Sequence, residues 1–211
     1  MMGWKDHYPK ILLVLYLAIW IFLALEPKYR SVWIDENILP VLFVLLLVVT
    51  YRWFQFSNLS YSFLFVFLIL HAIGGHYSYA EMPLFDLFKE QFGLMRNHYD
   101  RVVHFLFGVL FFLPVYELVT RIFRVPEGWR GFTLAFFVVA ALKGGFEVLE
   151  YTYVWVRANS LTVTNYLGEQ GDSWDSQKDV FLGIVGAGIS WVIVGARKVM
   201  REAALLQQKK I

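Results

Sequence analysis

The sequence has no cysteine and few charged residues. Because none of the 211 residues is cysteine, disulfides, thiolate zinc sites and cysteine nucleophiles are excluded. Charged residues make up 17% of the chain, whereas soluble domains carry about a quarter. The net charge of +2, with no clustered basic patch, predicts no nucleic-acid partner. Apolar residues are abundant instead, at 58%, and they occur in long blocks that are typical of a membrane protein.

Six of these apolar blocks can cross a bilayer, which takes roughly 20 mainly apolar residues. The predicted spans lie near 9–25, 37–54, 59–77, 101–120, 131–155 and 177–196. The fold class is therefore all-α: one polytopic, integral membrane domain over 1–211, built as a six-helix transmembrane bundle. The first block is also as short as a signal-peptide core, but it lacks a small-residue cleavage site. The first two spans hold no charge over 11–25 and 38–51, which predicts a lipid-facing scaffold.

Basic residues predict the orientation of the bundle. Eleven of the 19 lysines and arginines fall on the side of the termini, seven fall on the other side, and Lys143 lies within the fifth span. Both termini are therefore predicted to be cytoplasmic. On the outer side, apolar residues recur at near-helical spacing within 84–94, which predicts a short helix on the membrane surface. In the sixth span, Gly183, Gly186, Ala187 and Gly188 predict close helix packing.

Polar side chains recur at one depth, in the outer third of four predicted spans. Asp100 and His104 are four residues apart, as are Asp175 and Asp179, and this spacing puts each pair on one helix face. Ionisable groups inside spans tend to face the bundle interior. At least three of six side chains are predicted to share one pocket that opens outward: His71, His104, Glu147, Glu150, Asp175 and Asp179. Lys143, near mid-membrane, is predicted to pair with Glu147 or with Glu117.

Structural roles are the alternative for many of these residues. Asp100, Asp172 and Asp175 are also suited to capping helices and to pairing with Arg96, Arg101 or Lys178. Asp172 precedes the sixth span and is placed to cap it. The imidazoles of His71 and His104 are also suited to hydrogen bonds between helices. His76 and His98 lie nearer the interface, where a structural role is favoured.

A divalent metal site is the first functional hypothesis. His104, Glu147, Glu150 and Asp179 are the predicted ligands, with His71 and Asp175 as alternates or as the acid and base. Imidazole and carboxylate ligands without thiolate suit Zn, Mn or non-haem Fe. A site at headgroup depth suits a membrane-embedded enzyme that acts on a lipid or a lipid-linked substrate. The alternatives are a transporter of ions, protons or small solutes, and a structural membrane subunit. The oligomeric state stays open.

Four segments carry a family resemblance: "HAIGGHYSYAEMP", "RNHYDRVVHFLFG", "FEVLEY" and "GEQGDSWDSQKD". Over roughly 37–195 the chain resembles the YjdF-like inner-membrane proteins of bacteria. The resemblance implies a multi-pass protein of the bacterial inner membrane and does not imply an activity. The recurring polar positions of the family map onto His71, His76, Tyr77, Asn97, His98, Asp100, His104, Glu147, Glu150, Gln170, Asp172, Trp174, Asp175, Lys178 and Asp179. Lys143 falls outside the matched motifs.

Overall fold

A computed structural model describes residues 4–157 and 170–208, which form seven helices and no strand. The helices are α1 (Trp4–Ala24), α2 (Arg30–Thr50), α3 (Asn58–Tyr77), α4 (Pro83–Phe92), α5 (Tyr99–Arg121), α6 (Trp129–Arg157) and α7 (Asp175–Gln208). The predicted connection between the last two spans falls largely on 158–169, outside the described residues.

All the helices except α4 are long and apolar enough to cross a membrane. The chain is thus a polytopic helical membrane protein, and the prediction of an all-α bundle with six spans is confirmed. An even number of crossings puts both ends of the bundle on one side, here called the terminal side; the opposite face is the α4 side. The short helix predicted within 84–94 is present as α4. Its apolar side chains are exposed, as an interfacial helix requires: Leu84, Leu87, Phe88 and Phe92.

The second span differs from its prediction. The sequence predicts 37–54, but α2 begins at Arg30 and ends at Thr50. A hydropathy pattern places Asp35 and Glu36 before the span because charges are costly in lipid. Glu36 instead faces the bundle interior with 6% of its surface exposed, and so the helix can continue through it. The prediction of α2 as a purely lipid-facing scaffold is therefore wrong.

Glycines let α5 and α7 approach closely at the centre of the bundle. A Cβ atom on Gly108 would collide with the Gly183 carbonyl oxygen, and one on Gly186 would collide with the Phe105 carbonyl oxygen. Helices in lipid associate through such packing because no hydrophobic force drives them together. The predicted packing role of the small-residue patch on α7 is thus confirmed for Gly183 and Gly186. Helix α5 also packs against α3 and α6, while α1 and α2 pack on α3.

A separate carboxylate joins α5 to the start of α3 on the terminal side. Glu117 accepts hydrogen bonds from the Ser57 amide at 2.8 Å and from the Ser60 hydroxyl at 2.6 Å. Arg121 lies 3.3 Å from the same carboxylate. An acidic group is favourable at a helix N-terminus because it satisfies free N–H groups. Glu117 therefore has a complete structural role, and the predicted pairing of Lys143 with Glu117 is not the one formed.

We expect Gly186→Ala to destabilise the bundle, because the added methyl group would meet the backbone of α5. Overpacking of this kind costs about 1–3 kcal/mol. Chemical unfolding of purified protein measures the change. The matched control is Gly188→Ala on the same helix, where the nearest atom to the new methyl would be a Phe136 ring carbon at 3.9 Å. Equal unfolding midpoints for the two variants would contradict the close approach.

Candidate functional site

A cavity of about 180 Å³ lies between α2, α3, α5, α6 and α7. We call it the acidic cavity. These five helices all have an end on the α4 side of the bundle, where α2, α5 and α7 begin and where α3 and α6 end. At least three of six candidate side chains are predicted to share a pocket, and all six line this cavity: His71, His104, Glu147, Glu150, Asp175 and Asp179. The spacing of polar residues along separate helices thus identifies side chains that the fold brings together, while their chemical roles stay predictions.

Asp100, His104 and Asp179 form a group of potential metal ligands within the described part of the chain. Each is buried, and one ligand atom from each lies within 4.8 Å of the others. The His104 Nε2 atom is 3.0 Å from an Asp100 carboxylate oxygen, one helical turn away. One carboxylate oxygen of Asp179 is buried with no hydrogen-bond partner. Buried polar oxygens are nearly always paired, so this one is suited to receive a ligand or an ion.

Glu147 stands behind the imidazole of His104. The His104 Nδ1 atom lies 3.5 Å from a Glu147 carboxylate oxygen, and the ammonium group of Lys143 donates to that same carboxylate. Lys143 is 2% exposed, and it fits because Gly183 on α7 leaves room beside its side chain. The predicted pairing of Lys143 with Glu147 is therefore confirmed. The predicted metal ligand Glu147 already has a lysine partner.

Asp175 takes part in an ionic network at the rim of the cavity. It forms a bidentate salt bridge with Arg96, and Arg101 lies 3.6 Å from it. Asp172 contacts Arg101 and accepts a hydrogen bond from Lys178 at 2.6 Å. The Lys178 hydrogen bond, together with Arg101 and a backbone N–H, lowers the pKa of Asp172 to about 2, so this carboxylate stays ionised at neutral pH. Asp175 is thus bound by arginine, as the structural alternative proposes.

His71 has a hydrogen bond at each ring nitrogen. Its Nε2 atom lies 2.9 Å from the Glu36 carbonyl oxygen, and the Tyr79 hydroxyl contacts its Nδ1 atom. With Nε2–H donating to the carbonyl, Nδ1 accepts from the tyrosine, which describes a neutral imidazole. Neither nitrogen is left to bind a metal ion or to exchange a proton in this arrangement. It favours the alternative of a hydrogen bond between helices.

The remaining candidate residues lie outside the lining of the acidic cavity. Asn97 caps α5 by accepting from the Tyr99 amide at 3.0 Å, and its own backbone binds the Gln170 side chain. The His76 ring lies 2.8 Å from the Leu23 carbonyl oxygen. The other two candidates are half-buried: Tyr77 packs against the ring of His76, and His98 lies just before α5. Burial, and then the nearby arginines, lower the pKa of His98.

Glu36 and Tyr79 are among the residues that line the acidic cavity and that the sequence does not predict. Glu36 enters it from α2, and Tyr79 enters it from the segment after α3. The position of Glu36 could be recognised from a helical spacing. One face of α2, at positions i, i+3, i+4 and i+7, lines the cavity with Glu36, Leu39, Pro40 and Phe43. Tyr79 carries no such signal, because it lies in a turn with positive φ.

The deep end of the acidic cavity is aromatic. The Phe67 ring packs edge-on against Phe107 and Phe111, with centroids 5.6 and 4.9 Å apart, and Phe43 lies 5.8 Å from Phe111. Such tilted pairs are the favourable geometry for aromatic rings. The cavity is thus amphipathic, with carboxylates at one end and phenylalanines at the other.

Comparisons with known proteins agree with the motif resemblance. The family described as "Predicted membrane protein (DUF2238)" matches residues 8–200. "Inner membrane protein YjdF" of Escherichia coli (strain K12) is 32% identical over 182 residues, which cover 84% of this chain and 83% of that protein. No solved structure matches the chain.

We expect Lys143→Met to lower the free energy of unfolding by about 3–5 kcal/mol, because it leaves a buried carboxylate without its cation. Glu147→Ala should cost more, since it removes a partner of both Lys143 and His104. Unfolding of each variant in detergent measures the difference. Lys178→Met is the control: this lysine is 48% exposed, so its loss should change stability by under about 1 kcal/mol. Equal effects at Lys143 and Lys178 would contradict the buried pair.

Proposed function

This chain belongs to the DUF2238 family of membrane proteins, and on that premise we propose that it is a metal-dependent enzyme acting on a lipid or lipid-linked substrate. Membership of this family agrees with an integral, multi-pass membrane protein, in which six helices are long enough to span the bilayer. The proposal for its chemistry rests on the acidic cavity. One observation carries it, namely the unpartnered, buried oxygen of Asp179 beside Asp100 and His104.

The proposed ligands are one oxygen each from Asp100 and Asp179 and one imidazole nitrogen of His104. This set replaces two predicted ligands: Glu147 is already bound to Lys143, and Glu150 stands apart from the closest group. With Nε2 of His104 on the Asp100 side, Nδ1 points toward Glu147. A carboxylate behind a ligating histidine is the usual arrangement that orients the ring and raises its basicity. Zn, Mn and non-haem Fe suit these ligands.

The chemistry that such an ion supplies is activation of water or polarisation of an ester or phosphoryl oxygen. A general base must then accept a proton inside the cavity. Because His71 and Asp175 already have hydrogen-bonded partners, we assign this role to Glu150, which lines the same cavity. His71 and Asp175 would then have a structural role, because their hydrogen bonds hold the segments that line the site in place.

The amphipathic lining supports a lipid-type substrate. The carboxylate end would face the polar group that reacts, and the phenylalanine end would contact hydrocarbon. Small-molecule sites commonly combine an apolar lining with a few convergent polar groups.

We propose a bacterial inner-membrane location with both termini in the cytoplasm. The similar Escherichia coli protein is named for the inner membrane, and the excess of lysine and arginine on the terminal side supports the orientation. Reporter fusions after residues 56, 90 and 126 test it. We expect cytoplasmic signals at 56 and 126 and a periplasmic signal at 90. The inverse pattern would overturn the orientation and place the acidic cavity toward the cytoplasm.

For the metal site, we expect purified wild-type protein to hold about one divalent ion per chain, measured by inductively coupled plasma mass spectrometry. His104→Gln and Asp179→Asn should lose the ion because each removes a ligand. Glu147→Gln should weaken binding about 10–100-fold, the usual effect of losing an outer partner of a ligand.

The controls make the same chemical changes outside the cavity. His98→Gln and Asp172→Asn should retain the ion, since neither residue lines the cavity. Folded wild-type protein that binds none of the three metals would overturn the proposal. So would equal metal content in the ligand variants and the controls.

A further inference from the structure

The polar and the aromatic ends of the acidic cavity lie at different depths along the bundle. On α5, Asp100 and His104 come first and Phe107 and Phe111 follow; eleven residues separate Asp100 from Phe111, about 16 Å of helix. On α2, Glu36 likewise precedes Phe43 in the direction of the terminal side. The polar end of the cavity therefore lies near the α4 side, and its aromatic end lies deep in the membrane. Leu68 on α3 lies at this deep end, one turn further in than His71.

A second space, of about 210 Å³, continues from that depth toward the terminal side between α1, α2 and α3. We call it the apolar groove. Its walls are mainly aliphatic, and its polar groups are three tyrosines and Lys10. Tyr51, Tyr61 and Lys10 mark the terminal end of the groove by their places on the helices, while Leu68 lies at the opposite end.

Leu68 lines both spaces. It is 6% exposed, and its side chain therefore stands as a partition between the deep end of the acidic cavity and the inner end of the apolar groove. A hydrocarbon chain needs no polar partner in order to pass Leu68. An ion would lose its ligands at Leu68, which is costly inside a membrane.

We infer that Leu68 sets the length of hydrocarbon chain that the acidic cavity accepts. This inference rests on the proposed function, since it takes the substrate to be a lipid with its polar group among the carboxylates. The cavity volume of about 180 Å³ is close to the 150 Å³ of an apolar cavity that holds one benzene molecule. It therefore has room for a polar group and a short length of chain. Longer chains end at Leu68, and removing its side chain opens the apolar groove to them.

A series of n-alkylamines from four to sixteen carbons tests the chain limit without metal or turnover. Seven carboxylates line the acidic cavity, against the single lysine Lys143, so a cationic head is drawn to the polar end. Binding is measured to metal-stripped protein in lipid nanodiscs, with the uptake of empty nanodiscs subtracted. For the wild type, occupancy should rise with chain length and then stop rising. In Leu68→Ala, the rise should continue for several more carbons.

Matched variants separate this effect from simple partitioning into lipid. Leu59→Ala changes the same residue type on the same helix at a side chain that is 47% exposed, so it should keep the wild-type limit. Leu13→Trp narrows the apolar groove from α1; alone it should leave the limit unchanged, and combined with Leu68→Ala it should cancel the extension. Should Leu68→Ala fail to fold, Leu68→Val removes one methylene and should shift the limit in the same direction by less.

The outcomes separate the chain limit from the proposed metal chemistry. Identical limits in Leu68→Ala (or in Leu68→Val) and Leu59→Ala would overturn the role of Leu68, even if metal binds as proposed. An extended limit that Leu13→Trp does not cancel would also overturn it, because the extra chain would then lie elsewhere. A shifted limit in a protein that binds no metal would support the chain path while the enzymatic proposal fails.

Discussion

The burial of carboxyl groups inside a membrane bundle is the constraint on which this structure depends. A charged side chain at the centre of a spanning helix costs about 2.5–3.5 kcal/mol on insertion scales, so a compensating group stabilises a carboxylate that is buried there. Arg96 pairs with Asp175, and Lys143 pairs with Glu147. The start of α3 donates hydrogen bonds to Glu117. Most of these partners are distant in sequence, so the helices must pack in one arrangement to satisfy them. Asp179 keeps a buried carboxylate oxygen without a hydrogen-bond partner, and the proposed metal ion would supply the positive charge there.

Close packing of α5 and α7 makes that balance possible. Gly183 serves two purposes: its carbonyl oxygen lies where Gly108 permits the two helices to touch, and its missing side chain leaves space for Lys143. A larger residue at position 183 would collide with the Lys143 side chain, whereas a larger residue at position 108 would separate α5 from α7. Packing and electrostatics are therefore coupled at one position, and the small-residue patch supports the polar cluster as much as the bundle.

Local pattern explains what could be predicted from the sequence, and long-range pairing explains what could not. Spacings of three and four residues place Asp100 with His104, and Asp175 with Asp179, on single helix faces, and apolar blocks locate the spans. Hydropathy misses Glu36 because it treats a charge as the end of a span, although the helical spacing of Glu36 with Leu39, Pro40 and Phe43 marks its cavity-facing side. The bond between Arg96 and Asp175 joins residues 79 positions apart, a separation that no helical period encodes. One of the two hydrogen bonds of His71 comes from Tyr79, which lies in a turn.

The distribution of polar groups bears on whether this bundle binds a molecule or conducts ions across the membrane. A conduit for ions needs ligands or water along its whole length. Here the buried acids and Lys143 gather toward the α4 side, Glu117 is held separately by Ser57, Ser60 and Arg121, and aliphatic side chains line the groove between α1, α2 and α3. An ion entering from the α4 side would meet phenylalanine and leucine at Leu68. Such a polar site with an apolar end fits the amphiphilic substrate proposed above better than an ion in transit, because a polar group and a hydrocarbon chain would each meet a matching surface.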